Sequence, residues 1–193
     1  MKKVGIYSGT FDPIHHGHIS FANLASRLIG LEKVIFFPER SPRGKHNITN
    51  VEHRKKMIEL AISEEPKLEV DLVSDKNMTF AKSMPKLINL FSGYQLVLLL
   101  GSDVFYSLHT WEGLEKFAKD IGFIVGVRGA MPMDFLEDAK RKAEFAVGKL
   151  LDVHFINPMQ DHMSSTKVRR GSLNFSPQRV REYISEHGLY AIP

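Results

Sequence analysis

The chain has 193 residues, 43% hydrophobic and 25% charged, with 26 Lys and Arg against 22 Asp and Glu for a formal net charge of +4. That length fits one domain with a full core, and the composition is that of an ordinary soluble globular protein. Cysteine is absent, which excludes disulfides and thiolate metal sites; no run approaches the roughly 20 apolar residues of a membrane span, and the apolar run after Met1-Lys2-Lys3 is too short for a secretory leader.

In chain order, the apolar run Val4–Tyr7 reads as a strand buried on both faces. It leads through Gly9-Thr10-Phe11-Asp12-Pro13-Ile14-His15-His16-Gly17-His18 into a helix over Gly17–Leu28, with Ile19, Leu24, Ala25 and Leu28 near one face and Gly30 as its stop. Lys33–Phe37 is a second strand, closed by Pro38, and the basic, turn-rich segment Glu39–Asn50 is a loop. Asn50 caps a helix over Val51–Ile62 with Met57, Ile58 and Ala61 inward. Leu68–Val73 alternates like a strand near a sheet edge, and Pro85–Phe91 is a helix with Pro85 in its first turn. Gln95–Leu100 is the most hydrophobic strand and the central one; Trp111–Lys119 is a short helix. The strand Ile121–Val127, the amphipathic helix Met133–Ala146, the strand Leu151–Ile156 and the helix Pro177–His187 complete the order.

Strict β-α alternation predicts an α/β fold, a Rossmann-like open parallel sheet with helices on both faces and right-handed crossovers. The expected organisation is a single domain over 1–193, in which 164–193 is a C-terminal helical part. In such sheets ligands sit beyond the carboxyl ends of the strands, so the loops after the strands are the places to look for chemistry.

The first such loop places His15 and His18 around the start of a helix, where unpaired N–H groups and the helix dipole favour phosphate. Gly17 lets a ligand approach the backbone. Neither G-x-G-x-x-G after a strand nor G-x-x-x-x-G-K-[ST] occurs. Farther on, Ser164-Ser165-Thr166 at a helix start offers hydroxyls and N–H groups to phosphates, with Arg169 one turn later. The loop Arg40–His46 carries three fixed positive charges. Gly101-Ser102-Asp103 follows the central strand and Arg128 follows the next one. Trp111, the sole tryptophan, can stack on a flat heterocycle.

Thr10-Phe11-Asp12-Pro13 with His15-x-Gly17-His18, and Ser164-Ser165-Thr166-Lys167-Val168-Arg169 downstream, resemble the two motifs of the nucleotidylyltransferase superfamily. Within it, Gly-Ser-Asp, Trp111, Val-Arg-Gly and the closing Ser-Pro…Tyr-Ile…Gly-Leu-Tyr are most similar to the nicotinate-mononucleotide adenylyltransferase family. The resemblance implies transfer of AMP from ATP to nicotinate mononucleotide, giving deamido-NAD and pyrophosphate in NAD biosynthesis, with Mg²⁺ accompanying ATP. It implies ATP contacts from Gly9, Thr10, Phe11, His15, His18, Gly101, Asp103, Ser164, Ser165, Thr166 and Arg169. Acceptor contacts fall to Lys45, Thr79, Lys82, Trp111 and Arg128, and the catalytic group is His15, His18, Lys45 and Arg169.

The chain departs from the family pattern at Ser8, at the clamp Pro42-Arg43-Gly44-Lys45-His46, and at Met78–Met84, where Thr79 and Lys82 are the residues able to meet a carboxylate. The alternatives are a pantetheine-phosphate adenylyltransferase, a small-molecule cytidylyltransferase, or a catalytically silent nucleotide-binding module. Expected partners are small molecules, ATP and a mononucleotide or phosphate acceptor, rather than nucleic acid or membrane, with self-association left open. The expected location is cytoplasmic.

Overall fold

Apolar residues alternate between two buried faces along the inner strands, and this sets the architecture of the computed structural model, which describes residues 1–42, 44–71, 79–127, 129, 131–157 and 163–190. Six parallel strands are formed: β1 (Lys2–Gly9), β2 (Lys33–Pro38), β3 (Leu68–Val70), β4 (Tyr94–Gly101), β5 (Gly122–Gly126) and β6 (Val153–Ile156). Their order in the sheet is β3-β2-β1-β4-β5-β6. The chain winds outward from β1 to β3, returns to place β4 beside β1, and winds outward again. The crevice at that reversal, between the β1 and β4 carboxyl ends, is where such sheets bind ligand.

On one face Val4, Ile6, Ile35, Phe37, Leu96, Leu98, Phe123 and Val125 meet α3 (Phe80–Leu90), α4 (Ser102–Phe105), α5 (Leu114–Phe117) and α6 (Met133–Val147). On the other, Tyr7, Val34, Phe36, Val97, Leu99 and Ile124 meet α1 (His16–Ile29), α2 (Val51–Ala61) and α8 (Gln178–Glu186). Burial on both faces is why these strands read as continuous apolar runs. Gly5 is required by packing: a Cβ there would lie 2.9 Å from Leu31 Cδ1 and 3.0 Å from Val34 Cγ2.

Several sequence expectations shift. The buried side of α1 is Gly17, His18, Ile19, Phe21, Ala22, Ala25 and Ser26, whereas Leu28 is 56% exposed, because the helix turns its histidine-bearing stripe inward. Gly30 does close it, in the left-handed conformation with φ 66°. In α2, Asn50 caps as expected by accepting from Glu52 N–H at 3.0 Å, and Met57 and Ile58 are buried, but Ala61 is only partly so. The other inward side chains are Val51 and Arg54, the latter 0% exposed. Helix α3 begins at Phe80, so Pro85 stands inside it rather than in its first turn. Trp111 is not helical: 3₁₀ turns at Leu108–Thr110 and Ala118–Asp120 flank the short α5, and Gly113 at φ 81° breaks any longer helix between them. Strand β3 is short and at the sheet edge, and residues 72–78 of that expected strand and loop lie outside the described residues. The C-terminal part consists of the short α7 (Ser165–Arg169) and α8. Among the described residues no helix is long and apolar enough to cross a membrane.

Candidate active site

β1 ends at Gly9, paired with Pro38 of β2. The chain then turns sharply: Phe11 adopts φ 48°, and its ring folds back so closely that a Cβ on Gly9 would lie 2.9 Å from Phe11 Cζ. Phe11 meets Tyr7 edge to face at 5.2 Å and His18 at 5.1 Å. The aromatic floor thereby holds His18, which is 8% exposed beside His15 at 2%. The two imidazoles stack with centroids 3.7 Å apart and planes 28° from parallel.

His15 occupies the N-cap of α1, and its backbone N–H donates to His18 Nδ1 at 3.2 Å. An accepting Nδ1 leaves the proton of the neutral ring on Nε2, which is then the donor. The neighbouring His16 is held below its ordinary pKa of 6.5 by burial and by the nearby Arg181.

The second motif is tied to the first through backbone carbonyls. Ser165 Oγ donates to Pro13 O at 2.9 Å and Ser176 Oγ to Ile14 O at 2.9 Å. The Arg169 guanidinium donates to the Asp12 carbonyl and, at 3.3 Å, to Thr166 Oγ1. Ser164 is the N-cap of α7, its hydroxyl accepting from Lys167 N–H at 3.2 Å. Ser165 thus grips the histidine loop through its hydroxyl in this structure.

A third set of contacts joins the loop after β2. Lys45 Nζ donates to Thr10 Oγ1 at 2.8 Å. Ser8 Oγ donates to the Glu39 carboxylate at 3.0 Å, and Glu39 N–H to Gly9 O at 3.0 Å. Arg54 donates from Nε to Thr49 O at 2.7 Å, from one terminal nitrogen to Thr10 O at 2.6 Å, and from the other to Glu39 O at 2.7 Å. Burial pulls the Arg54 pKa down, opposed chiefly by the Asp12 charge. Asp12, 3% exposed, accepts from Thr49 N–H at 3.3 Å and from the Tyr190 hydroxyl. Arg54, Ser176 and Tyr190 were not legible as site residues, because their partners are mostly main-chain carbonyls from distant segments.

At the β4 end, the Asp103 carboxylate lies over Gly101: a Cβ there would meet Asp103 Oδ1 at 2.5 Å. Trp111 is half-buried and packs on Phe80 with ring centroids 5.7 Å apart. Gly113, two residues on, would bring a Cβ within 3.2 Å of Ala81 Cα. The Trp111 turn and the start of α3 are therefore in contact, which brings the Thr79–Met84 segment to the tryptophan. Thr79 Oγ1 is buried without a hydrogen-bond partner among the described residues, while Lys82 is exposed. Arg128, Arg43 and Met78 lie outside the described residues.

Residues 6–171 match the cytidylyltransferase-like family. A Neisseria meningitidis serogroup A protein named probable nicotinate-nucleotide adenylyltransferase is 32% identical over 198 residues, covering 98% of this chain and 99% of the relative. The chain belongs to this family. It is a nucleotidyltransferase. A Desulfitobacterium hafniense protein of the same name is 32% identical over 204 residues, covering 99% of this chain and 97% of its own. In fold, the chain is similar to Plasmodium falciparum nicotinic acid mononucleotide adenylyltransferase complexed with NaAD, at a TM-score of 0.81 and 21% identity over 100% of this chain and 99% of that one.

Proposed function

We propose that this chain transfers AMP from ATP to nicotinate mononucleotide. A phosphate oxygen of the acceptor attacks the α-phosphorus, the bond from that phosphorus to the bridging oxygen breaks, and pyrophosphate leaves with the bond's electron pair. The observation that carries the reading is the stacked, buried His15–His18 pair with Nδ1 of His18 engaged, because it offers a fixed N–H donor where the loop meets a helix N-terminus. The names of the relatives support nicotinate mononucleotide as the acceptor.

In this scheme no covalent intermediate is needed, and the protein supplies position and charge. His18 donates to an α-phosphate oxygen as charge gathers there, and His15 packs against it and starts the helix. Lys45 leaves Thr10 to meet the transferring phosphates, and Arg169 and the α7 start face the outer ones. Trp111 carries the acceptor's flat ring, with the start of α3 packed against it through Phe80.

Mg²⁺ would neutralise charge on the triphosphate. Asp103, whose carboxylate lies over Gly101 at the β4 end, is the residue that would help hold it. Such a reaction serves NAD biosynthesis from small-molecule substrates and suits a cytoplasmic enzyme.

The test is pyrophosphate release from ATP and from CTP against nicotinate mononucleotide, its amide and phosphopantetheine. Turnover is expected with ATP and nicotinate mononucleotide. ATP binding without turnover of any acceptor would sink the enzyme reading in favour of a silent nucleotide-binding module.

A further inference from the structure

The side chain most at odds with its sequence context is Arg54. Its neighbours on α2, Glu52 and Lys56, face solvent, yet Arg54 is 0% exposed and heads the largest fully buried side chains. Burying a guanidinium is costly unless its donors are met, and here three donors meet three carbonyls at 2.6 to 2.7 Å. None of those carbonyls belongs to the hydrophobic core. They belong to Thr10 after β1, to Glu39 after β2 and to Thr49 before α2, so the guanidinium sits where three loops converge at the carboxyl edge of the sheet.

The arrangement anchors one loop at both ends. Glu39 is held through its carbonyl by Arg54 and through its carboxylate by Ser8. Thr49 is held through its carbonyl by Arg54 and through its N–H by Asp12. Between those anchors lies Lys45, whose ammonium reaches Thr10 Oγ1, and the backbone of Thr10 is itself the third acceptor of Arg54. One rigid fork therefore sets the distance between the β1 loop and the lysine that crosses it.

We infer that Arg54 is a positioning residue of the transfer reaction, setting through Thr10, Glu39 and Thr49 the place at which Lys45 meets the transferring phosphates. This rests on the adenylyl-transfer reading above. Lysine cannot substitute: a single nitrogen on a flexible stem does not span three separated carbonyls. Arg54 touches no reacting atom, and its effect passes through the loop.

The experiment compares wild type, Arg54→Lys, Lys45→Ala, the double variant, and a chain with two glycines inserted after Asn47, which keeps Arg54 and its partners but lengthens the loop between the anchors. Fold is followed by circular dichroism and thermal melting. For Arg54→Lys, kcat should fall on the order of 10- to 100-fold with a raised KM for ATP, as for a misplaced catalytic group, and the KM for the acceptor should change less than about twofold. In the Lys45→Ala background most of the kcat effect should vanish, since both substitutions remove one interaction. The lengthened loop should reproduce the kinetic defect at nearly wild-type stability, which keeps the inference testable if Arg54→Lys does not fold. Lowered stability with unchanged kinetics in Arg54→Lys, multiplicative effects in the double variant, or wild-type kinetics in the lengthened loop would each overturn it. If wild type itself turns over no acceptor, the adenylyl-transfer reading fails. Arg54 is then judged by calorimetry with ATP, where an affinity loss of about tenfold in Arg54→Lys is expected and none overturns it.

Discussion

The hydroxyl of Tyr190 donates to the carboxylate of Asp12, closing a contact across 178 positions of sequence between the last described turn and the first loop. Asp12 is almost fully buried and lies within the field of Arg54, so the bond is charge-assisted in a water-poor place. Tyr190→Phe should lower stability by about 1.5–3 kcal/mol, the range for hydrogen bonds to charged groups, read as a shift in denaturant midpoint. The pH dependence has a definite sign. Burial and the Asp12 bond raise the Tyr190 pKa above its ordinary 10.0; the folded state therefore holds this proton more tightly than the unfolded state. Stability from the group is complete below about pH 10 and declines as pH rises beyond it. Wild type should lose stability more steeply than Tyr190→Phe between roughly pH 10 and 11, and equal slopes would contradict the coupling.

His18→Ala should reduce kcat by about 10²–10³-fold while ATP affinity changes little, because the Nε2 donor is expected to gain strength as charge develops at phosphorus. Single-turnover kinetics alongside calorimetry separate the two quantities. Equal losses in both would assign His18 to ground-state binding.

Trp111→Ala should raise the KM for nicotinate mononucleotide and leave that for ATP nearly unchanged. The indole also packs on Phe80, so some stability will be lost. Trp111→Phe restores part of the packing, and acceptor affinity should recover in parallel. A rise in the KM for ATP alone would move the tryptophan to the other half of the site.

Gly101→Ala tests Asp103 without altering it. The new methyl would occupy the space of Asp103 Oδ1, and the carboxylate is exposed enough to swing aside. Stability should stay within about 1 kcal/mol of wild type. The KM for ATP should rise if Asp103 meets the ribose or the cation. Unchanged kinetics with a displaced carboxylate, seen by crystallography, would reduce Asp103 to a residue of the α4 first turn.

The strands and the two loop-to-helix motifs were legible because local rules govern them: two-sided burial writes continuous apolar runs, and a helix start writes histidines, serines and glycine in fixed spacing. What escaped was decided by partners far away in the chain. Arg54 reads as one more charge on a charged helix until three loops bring their carbonyls to it. Leu28 reads as core by spacing, yet α1 turns toward the sheet the face that holds His18. Trp111 reads as a helix start, but the left-handed Gly113 lets that turn meet Ala81 and stops the helix. Asp12 reads only as part of the Thr10–Pro13 turn until Thr49 and Tyr190, far along the chain, bring donors to its oxygens.

The Lys45–Thr10 bond also bears on turnover. A phosphate that recruits Lys45 takes it from a neutral hydroxyl partner, so one hydrogen bond is exchanged for a stronger one rather than created from nothing. The net gain on substrate capture is the difference between the two. If Lys45 meets the phosphates as proposed, Thr10 Oγ1 is the acceptor to which its ammonium returns when pyrophosphate departs. On that proposal, the same bond that weakens the grip on the triphosphate gives the lysine a resting partner once the product is gone.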